Sequence, residues 1–178
     1  MAVIDAALGE AGDGRGGVVL VEGGAGLGKS RLLEEAVSRA GRAGVRAAVG
    51  RADVDDNVVP LAPLMSACFG GTAPLLDRSD ISALRVLGED RYWVLLELEA
   101  LLERAALEHP MLICLDDLQW ADAGTAEALR VLPVRLGGVP IIWIAAYRTA
   151  QAPALLLRSV AELSEANATR LVLDPLDE

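Results

Sequence analysis

Eight residues, Gly23 to Ser30, read GGAGLGKS and place Gly23, Gly28, Lys29 and Ser30 in the pattern Gly-x-x-x-x-Gly-Lys-Ser/Thr. Their types set the chemistry. Glycine takes backbone conformations closed to other residues and lets the chain approach a ligand closely. The N–H groups of such a loop, and the positive end of a helix that follows it, face phosphate oxygens. In that arrangement Lys29 reaches the β- and γ-phosphates of a nucleotide, and the Ser30 hydroxyl is a magnesium ligand. Lys29 is the only lysine among 16 basic residues; the rest are arginine. A compact ammonium fits a tight phosphate nest where a planar guanidinium fits poorly. The competing reading, a glycine-rich turn with an accidental Lys-Ser, requires a match that arises by chance in well under about 1% of chains this long.

Two further segments carry chemistry. Asp116 and Asp117 close the apolar run Met111–Leu115. Adjacent carboxylates on an apolar strand are costly to bury unless a cation or a catalytic task uses them. Asp116 is placed to help hold Mg²⁺, and Asp117 is the candidate base for an attacking water. Asp117 also reads as a turn or capping residue. Arg148 ends the next apolar run and could sense a γ-phosphate or stabilise charge on the transferred group; a strand-end salt bridge is its plainer role. Gln119 either orients water or packs the loop, and Trp120 reads as a packing anchor. The nucleotide-contacting set is Gly23, Gly24, Ala25, Gly26, Leu27, Gly28, Lys29, Ser30 and Arg31.

The elements that must position these residues can be read in order. Ala2–Ala11 patterns as a short helix and Gly17–Val21 as a buried strand. The helix opened by the glycine loop runs to about Ala40, with Gly41 as its C-cap. Val45–Val49 is a second strand. Arg51–Pro60 is a loop whose acids (Asp53, Asp55, Asp56) lack the glycine and the glutamate of a calcium loop. Leu61–Phe69 and Ser79–Leu87 pattern as short helices. The clearest helix spans Asp90 or Arg91 to Glu108, with Val94, Leu95, Leu98, Leu101, Leu102 and Ala105 on one face. Tyr92 and Trp93 at its start read as packing residues, and His109-Pro110 stops it. Asp122 caps a helix to Leu136. Val139–Ala146 is a second fully apolar strand, Ala152–Leu163 a helix, and Arg170–Leu173 a last strand. Continuous apolar runs mark central parallel strands covered on both faces. Strands alternating with helices give an α/β fold with a mostly parallel sheet. Ligands in such sheets bind beyond the carboxyl ends of the strands, where the glycine loop, the acidic pair and Arg148 all fall.

Bulk composition narrows the function. The 178 residues suffice for one domain, and 53% hydrophobic content with only 3% aromatic demands a core of Leu, Val, Ile and Ala. A net charge of −10 argues against binding nucleic acid or an anionic membrane by bulk electrostatics. Cys68 and Cys114 are lone and widely spaced, so neither a zinc site nor a disulfide framework is expected, and a reducing cytoplasm is the default. No charge-free run of 18 apolar residues is present, and no signal peptide is read at the start.

With these residues in place, the chain resembles the ATPase core of the STAND class of AAA-like regulators, and within it the large ATP-binding regulators of the LuxR type found in bacteria. The resemblance rests on GGAGLGKSRLLEEA, on PLAPL at Pro60–Leu64, on LICLDDLQWAD and on IIWIAAYRT, in that order. It implies the three-layer sandwich of P-loop nucleotide hydrolases, with a mostly parallel central sheet of about five strands. It also implies ATP or ADP and Mg²⁺ as ligands, with Asp116 the magnesium-associated acid, Asp117 the hydrolytic acid and Arg148 the sensor arginine. Family members use ATP binding and hydrolysis as a switch that governs homo-oligomerisation and exposes a DNA-binding helix-turn-helix. This sequence departs in extent: the Gly-Arg-Glu segment before the first helix is absent, and Gly24 replaces an acid common there. Residues 1–178 therefore read as a single excised core without the lid, winged-helix and DNA-binding parts, so any DNA contact is expected through those other parts.

Three readings follow: an ATP-hydrolysing regulatory module, a nucleotide-binding switch with negligible turnover, and a P-loop small-molecule kinase. The kinase needs an arginine-rich lid that the sequence does not display. A GTPase needs a second lysine for its base-reading motif, and an ABC-type ATPase needs a Leu-Ser-Gly-Gly-Gln signature; neither is present.

Overall fold

The computed structural model describes residues 1–54, 60–86 and 90–174. Seven α-helices and five strands follow along the described chain, three of the helices in succession between the second and third strands: α1 (Ala2–Gly12), β1 (Gly17–Gly23), α2 (Lys29–Arg42), β2 (Arg46–Arg51), α3 (Ala62–Phe69), α4 (Ile81–Val86), α5 (Arg91–Glu108), β3 (Met111–Asp116), α6 (Ala123–Arg135), β4 (Ile141–Tyr147), α7 (Ala154–Glu165) and β5 (Thr169–Leu173). The strands form one parallel sheet in the order β2-β3-β4-β1-β5. Its layers follow from the two-residue period of a strand. On β3, Met111, Ile113 and Leu115 join the core beneath α3, α5, α6 and α7, while Leu112 and Cys114 join the core beneath α1 and α2. β4 alternates in the same way, and every residue of β3 and β4 is buried. The α/β fold expected from the apolar runs, and the three-layer sandwich on a five-stranded sheet that the resemblance implied, are the fold observed.

Chain order places the site. From β1 the chain crosses to the far edge at β2, then returns through β3 and β4. The glycine loop after β1, the acids after β3 and Arg148 after β4 thus stand at the carboxyl ends of three adjacent strands.

Several boundaries differ from the sequence reading. Helix α2 runs through Gly41 and ends at Arg42; the left-handed residue is Gly44 (φ 74°), and Val45 N–H closes the turn on the Ala40 carbonyl at 2.9 Å. Strand β4 starts at Ile141 because Val139 turns tightly, its carbonyl accepting from Ile141 N–H at 2.7 Å. Helix α7 starts at Ala154 after Pro153, since the residue before a proline is disfavoured in helix. Tyr92 and Trp93 are not packing residues: they are 61% and 51% exposed and meet edge-to-face at 5.2 Å. The buried stripe of α5 begins a turn later, at Leu98, Leu101, Leu102 and Ala106, with Val94, Leu95 and Ala105 at its margin. Asp55 and Asp56 of the acidic loop lie outside the described residues, as does Leu87, the end of the short helix expected from Ser79.

Candidate nucleotide site

The loop between β1 and α2 has the backbone its glycines permit. Gly26 (φ 75°) and Gly28 (φ 85°) are left-handed, the second serving as the N-cap of α2. No acidic residue sits in the first turn of that 14-residue helix, so its positive end is left for an external anion. Lys29 is 5% exposed and folds back over the loop, donating to the carbonyls of Gly23 at 2.8 Å and Gly24 at 2.6 Å. Burial lowers its pKa below the usual lysine value; Arg148 nearby adds to the effect, and Asp117 and Asp116 oppose it. Leu27 flanks this turn, Ala25 is exposed on it, and Arg31 projects outward from α2.

Ser30 Oγ donates to Asp116 Oδ2 at 2.7 Å, a bond between residues 86 positions apart. Asp116 is 1% exposed, and its Oδ1 accepts the Asp117 N–H at 2.8 Å. Asp117 itself turns the chain, at φ 52°. Its Oδ1 accepts from Gln119 Nε2 at 2.9 Å and lies 3.5 Å from Arg148 Nη2. Gln119 in turn accepts the Arg148 N–H at 3.1 Å. Buried to 2% exposure, it is committed to tying Asp117 to the end of β4. Arg148 Nε is buried without a hydrogen-bond partner among the described residues, a donor free to serve a ligand.

Two groups escaped the sequence reading. Arg51, read as the start of a loop, ends β2 as the register partner of Asp116, and its Nη2 donates to Asp116 Oδ2 at 2.9 Å. Glu22, one residue before the loop, accepts from Thr149 Oγ1, from Arg170 Nε at 2.9 Å and from Tyr147 Oη at 3.5 Å. The Thr149 hydroxyl first, then Arg170, hold its carboxyl below the usual value. Glu22 thereby clasps β1 to its neighbours β4 and β5 just before the loop departs. The signal for both lay in strand order: residues ending neighbouring parallel strands stand side by side.

A cleft of about 640 Å³ opens beside the loop, with Leu27, Gly28, Arg31, Leu32 and Leu173 on its walls. A separate cavity of about 520 Å³, against Gly16–Val19 and Ala166–Thr169, lies at the opposite ends of the strands, away from these groups.

A protein-family model described as AAA ATPase domain matches residues 1–144. No curated protein matches. Among solved structures, the ORC2 protein of Aeropyrum pernix in ADPNP–ADP complexes superposes with a TM-score of 0.61 at 21% identity, over 97% of this chain and 46% of that one. Drosophila ORC bound to DNA gives 0.58 at 18% identity, over 99% and 42%. AMPPCP-bound DnaA of Aquifex aeolicus gives 0.52 at 16%, over 97% and 44%. At these identities the likeness is one of fold, and the chain spans less than half the length of each.

Proposed function

The chain belongs to the AAA ATPase domain family, and from that premise we propose that it is the Mg²⁺-dependent, ATP-binding and ATP-hydrolysing switch module of a bacterial transcriptional regulator of the STAND, LuxR-related type. One observation carries the reading: the Ser30–Asp116 bond of 2.7 Å, which joins the glycine loop to the acidic strand end. A hydroxyl and a carboxylate are hard oxygen donors that suit Mg²⁺. Among the described residues no group of three or more His, Cys, Asp or Glu could hold a metal alone. That too fits an ion held mainly by phosphate oxygens and water. When bound, Mg²⁺ neutralises phosphate charge.

The chain's own groups do the rest. Lys29 transfers its hydrogen bonds from two carbonyls to phosphate oxygens, and the first N–H groups of α2 face the same anion. Asp117 orients or deprotonates the attacking water, and Arg148, with its unpartnered Nε, meets the γ-phosphate. Arg31 and the cleft beside Gly28 lie where the rest of the nucleotide extends. Residues 1–178 act as one core, and with a net charge of −10 any DNA contact belongs to other domains of a longer cytoplasmic protein that assembles as a homo-oligomer. The regulator assignment is supported by the PLAPL, DDLQWAD and YRT segments. ADPNP, ADP and AMPPCP in the solved relatives support a nucleotide in this loop.

A second reading, a nucleotide switch with negligible turnover, is favoured by the state of Asp117. Its Oδ1 is engaged by Gln119, with Arg148 3.5 Å away, and its Oδ2 lies 3.8 Å from Arg51. An attacking water thus meets one oxygen already bonded to Gln119 and a second that faces Arg51 beyond hydrogen-bond distance, so it must share that oxygen with the guanidinium. Calorimetry with ATP and Mg²⁺, joined to a phosphate-release assay, separates the readings. Lys29→Ala is expected to abolish binding, and Asp117→Asn to keep binding and lose turnover. Unchanged binding in Lys29→Ala would overturn the site; equal turnover in Asp117→Asn would remove that residue from the chemistry.

A further inference from the structure

Asp116 makes three described hydrogen bonds, to the Ser30 hydroxyl, the Asp117 N–H and Arg51. The first two come from the loop and from its own backbone turn. Arg51 differs: its side chain is 58% exposed, whereas that of Asp116 is 2% exposed. A long, half-solvated guanidinium can leave a carboxylate by rotating fully into water, whereas the Asp117 N–H is fixed in the backbone and the Ser30 hydroxyl is held on a one-carbon stem at the start of α2. Its Nε also lies 3.8 Å from Asp117 Oδ2, so one cation serves both acids.

A magnesium ion keeps much of its water and meets carboxylates largely through it. A metal-bound water presents a hydrogen to Asp116, as Arg51 Nη2 does. Arg51 and the ion therefore need the same acceptor, and a dication beside a guanidinium adds like-charge repulsion. Resting on the nucleotide-site reading above, we propose that Arg51 and Mg²⁺ compete for Asp116, so that Arg51 is a positioning residue that sets how much Mg²⁺ nucleotide binding requires. Release of Arg51 then accompanies metal loading and turns β2, otherwise remote from the glycine loop, into part of the response to nucleotide.

The test uses the whole chain, a fluorescent ATP analogue and a Mg²⁺ titration on wild type, Arg51→Ala and Arg51→Lys. The half-saturating Mg²⁺ concentration is expected to fall about tenfold in Arg51→Ala, the scale of one half-exposed charge-assisted bond, and to stay near wild type in Arg51→Lys. Thermal melting with ADP, with and without Mg²⁺, is the second readout, the increment that Mg²⁺ adds being larger in Arg51→Ala than in wild type. An unchanged Mg²⁺ requirement in Arg51→Ala overturns the proposal. So does an equal loss of nucleotide affinity with Mg²⁺ and with a chelator, which would make Arg51 a phosphate contact. If no chain binds nucleotide, the site reading falls and takes the competition with it; nucleotide binding with equal Mg²⁺ increments in wild type and Arg51→Ala overturns the competition alone.

Discussion

Lys29 is the residue on which the loop's chemistry turns, and its protonation offers a test independent of turnover. Burial and Arg148 lower its pKa below the ordinary value of 10.5. Phosphate placed against the ammonium favours the charged form and draws that pKa back up. Between the two values the free side chain is partly neutral and the bound one charged, so binding takes up a proton and weakens as pH rises through that window. Calorimetry in buffers of different ionisation heat should show uptake that grows as pH climbs toward 10.5. Uptake that stays flat would mean that phosphate does not rest on Lys29. Much of this constellation was legible in the sequence, because glycine spacing and acids closing an apolar run are patterns of residue type. Arg51 and Glu22 were not. Each stands in the chain as an ordinary charge at a strand margin, and only the neighbouring strand shows what it pairs with.

At the scale of elements, Asp122 couples two helices whose starts are far apart in the chain. As N-cap of α6 its Oδ1 accepts the Thr125 N–H at 3.1 Å, and its Oδ2 accepts the Leu61 N–H at 3.2 Å where α3 begins. Leu61 is a non-glycine residue at φ 63°, so that N–H belongs to a strained turn that needs its partner. Asp122→Ala should therefore exceed a simple capping loss and cost about 2 kcal/mol, read as a lowered midpoint in urea unfolding. A loss of a few tenths of a kcal/mol would show that α3 and α6 dock without it. The cap was legible, since an Asp precedes a helical pattern; the Leu61 contact joins segments that periodicity treats separately. Gly50 shows the same limit. A Cβ there would stand 1.8 Å from the Pro63 carbonyl oxygen, so the glycine lets α3 lie on β2, and nothing in its own stretch of sequence announces that contact. Apolar runs announced the central strands plainly, whereas element ends slipped by a few residues wherever a turn bond, as at Val45 after α2 and Val139 before β4, outranked the local pattern.

The whole molecule carries two hydrophobic layers that share one sheet, and its two cysteines report on them separately. Cys68 on α3 lies in the layer beneath α5 and α6, and Cys114 on β3 in the layer beneath α1 and α2. Both are fully buried, and burial pushes their thiols up, Cys68 to about 12, so neither presents a thiolate near neutral pH. Each should resist a thiol reagent until the fold opens around it. Because β3 and β4 send alternate residues into both layers, removing one layer exposes the back of the other, and a strand cannot leave either alone. The two thiols are therefore expected to become reactive at the same denaturant concentration and with the same rate, followed by mass spectrometry of the labelled chain. Earlier labelling of Cys68 would show that α3, held to β2 across Gly50, opens as a unit of its own while the α1–α2 layer stays closed. Arg51 ends that same strand, so early opening there would also loosen the cation that faces Asp116. Coincident labelling would bind the acidic strand ends and the glycine loop into one cooperative unit.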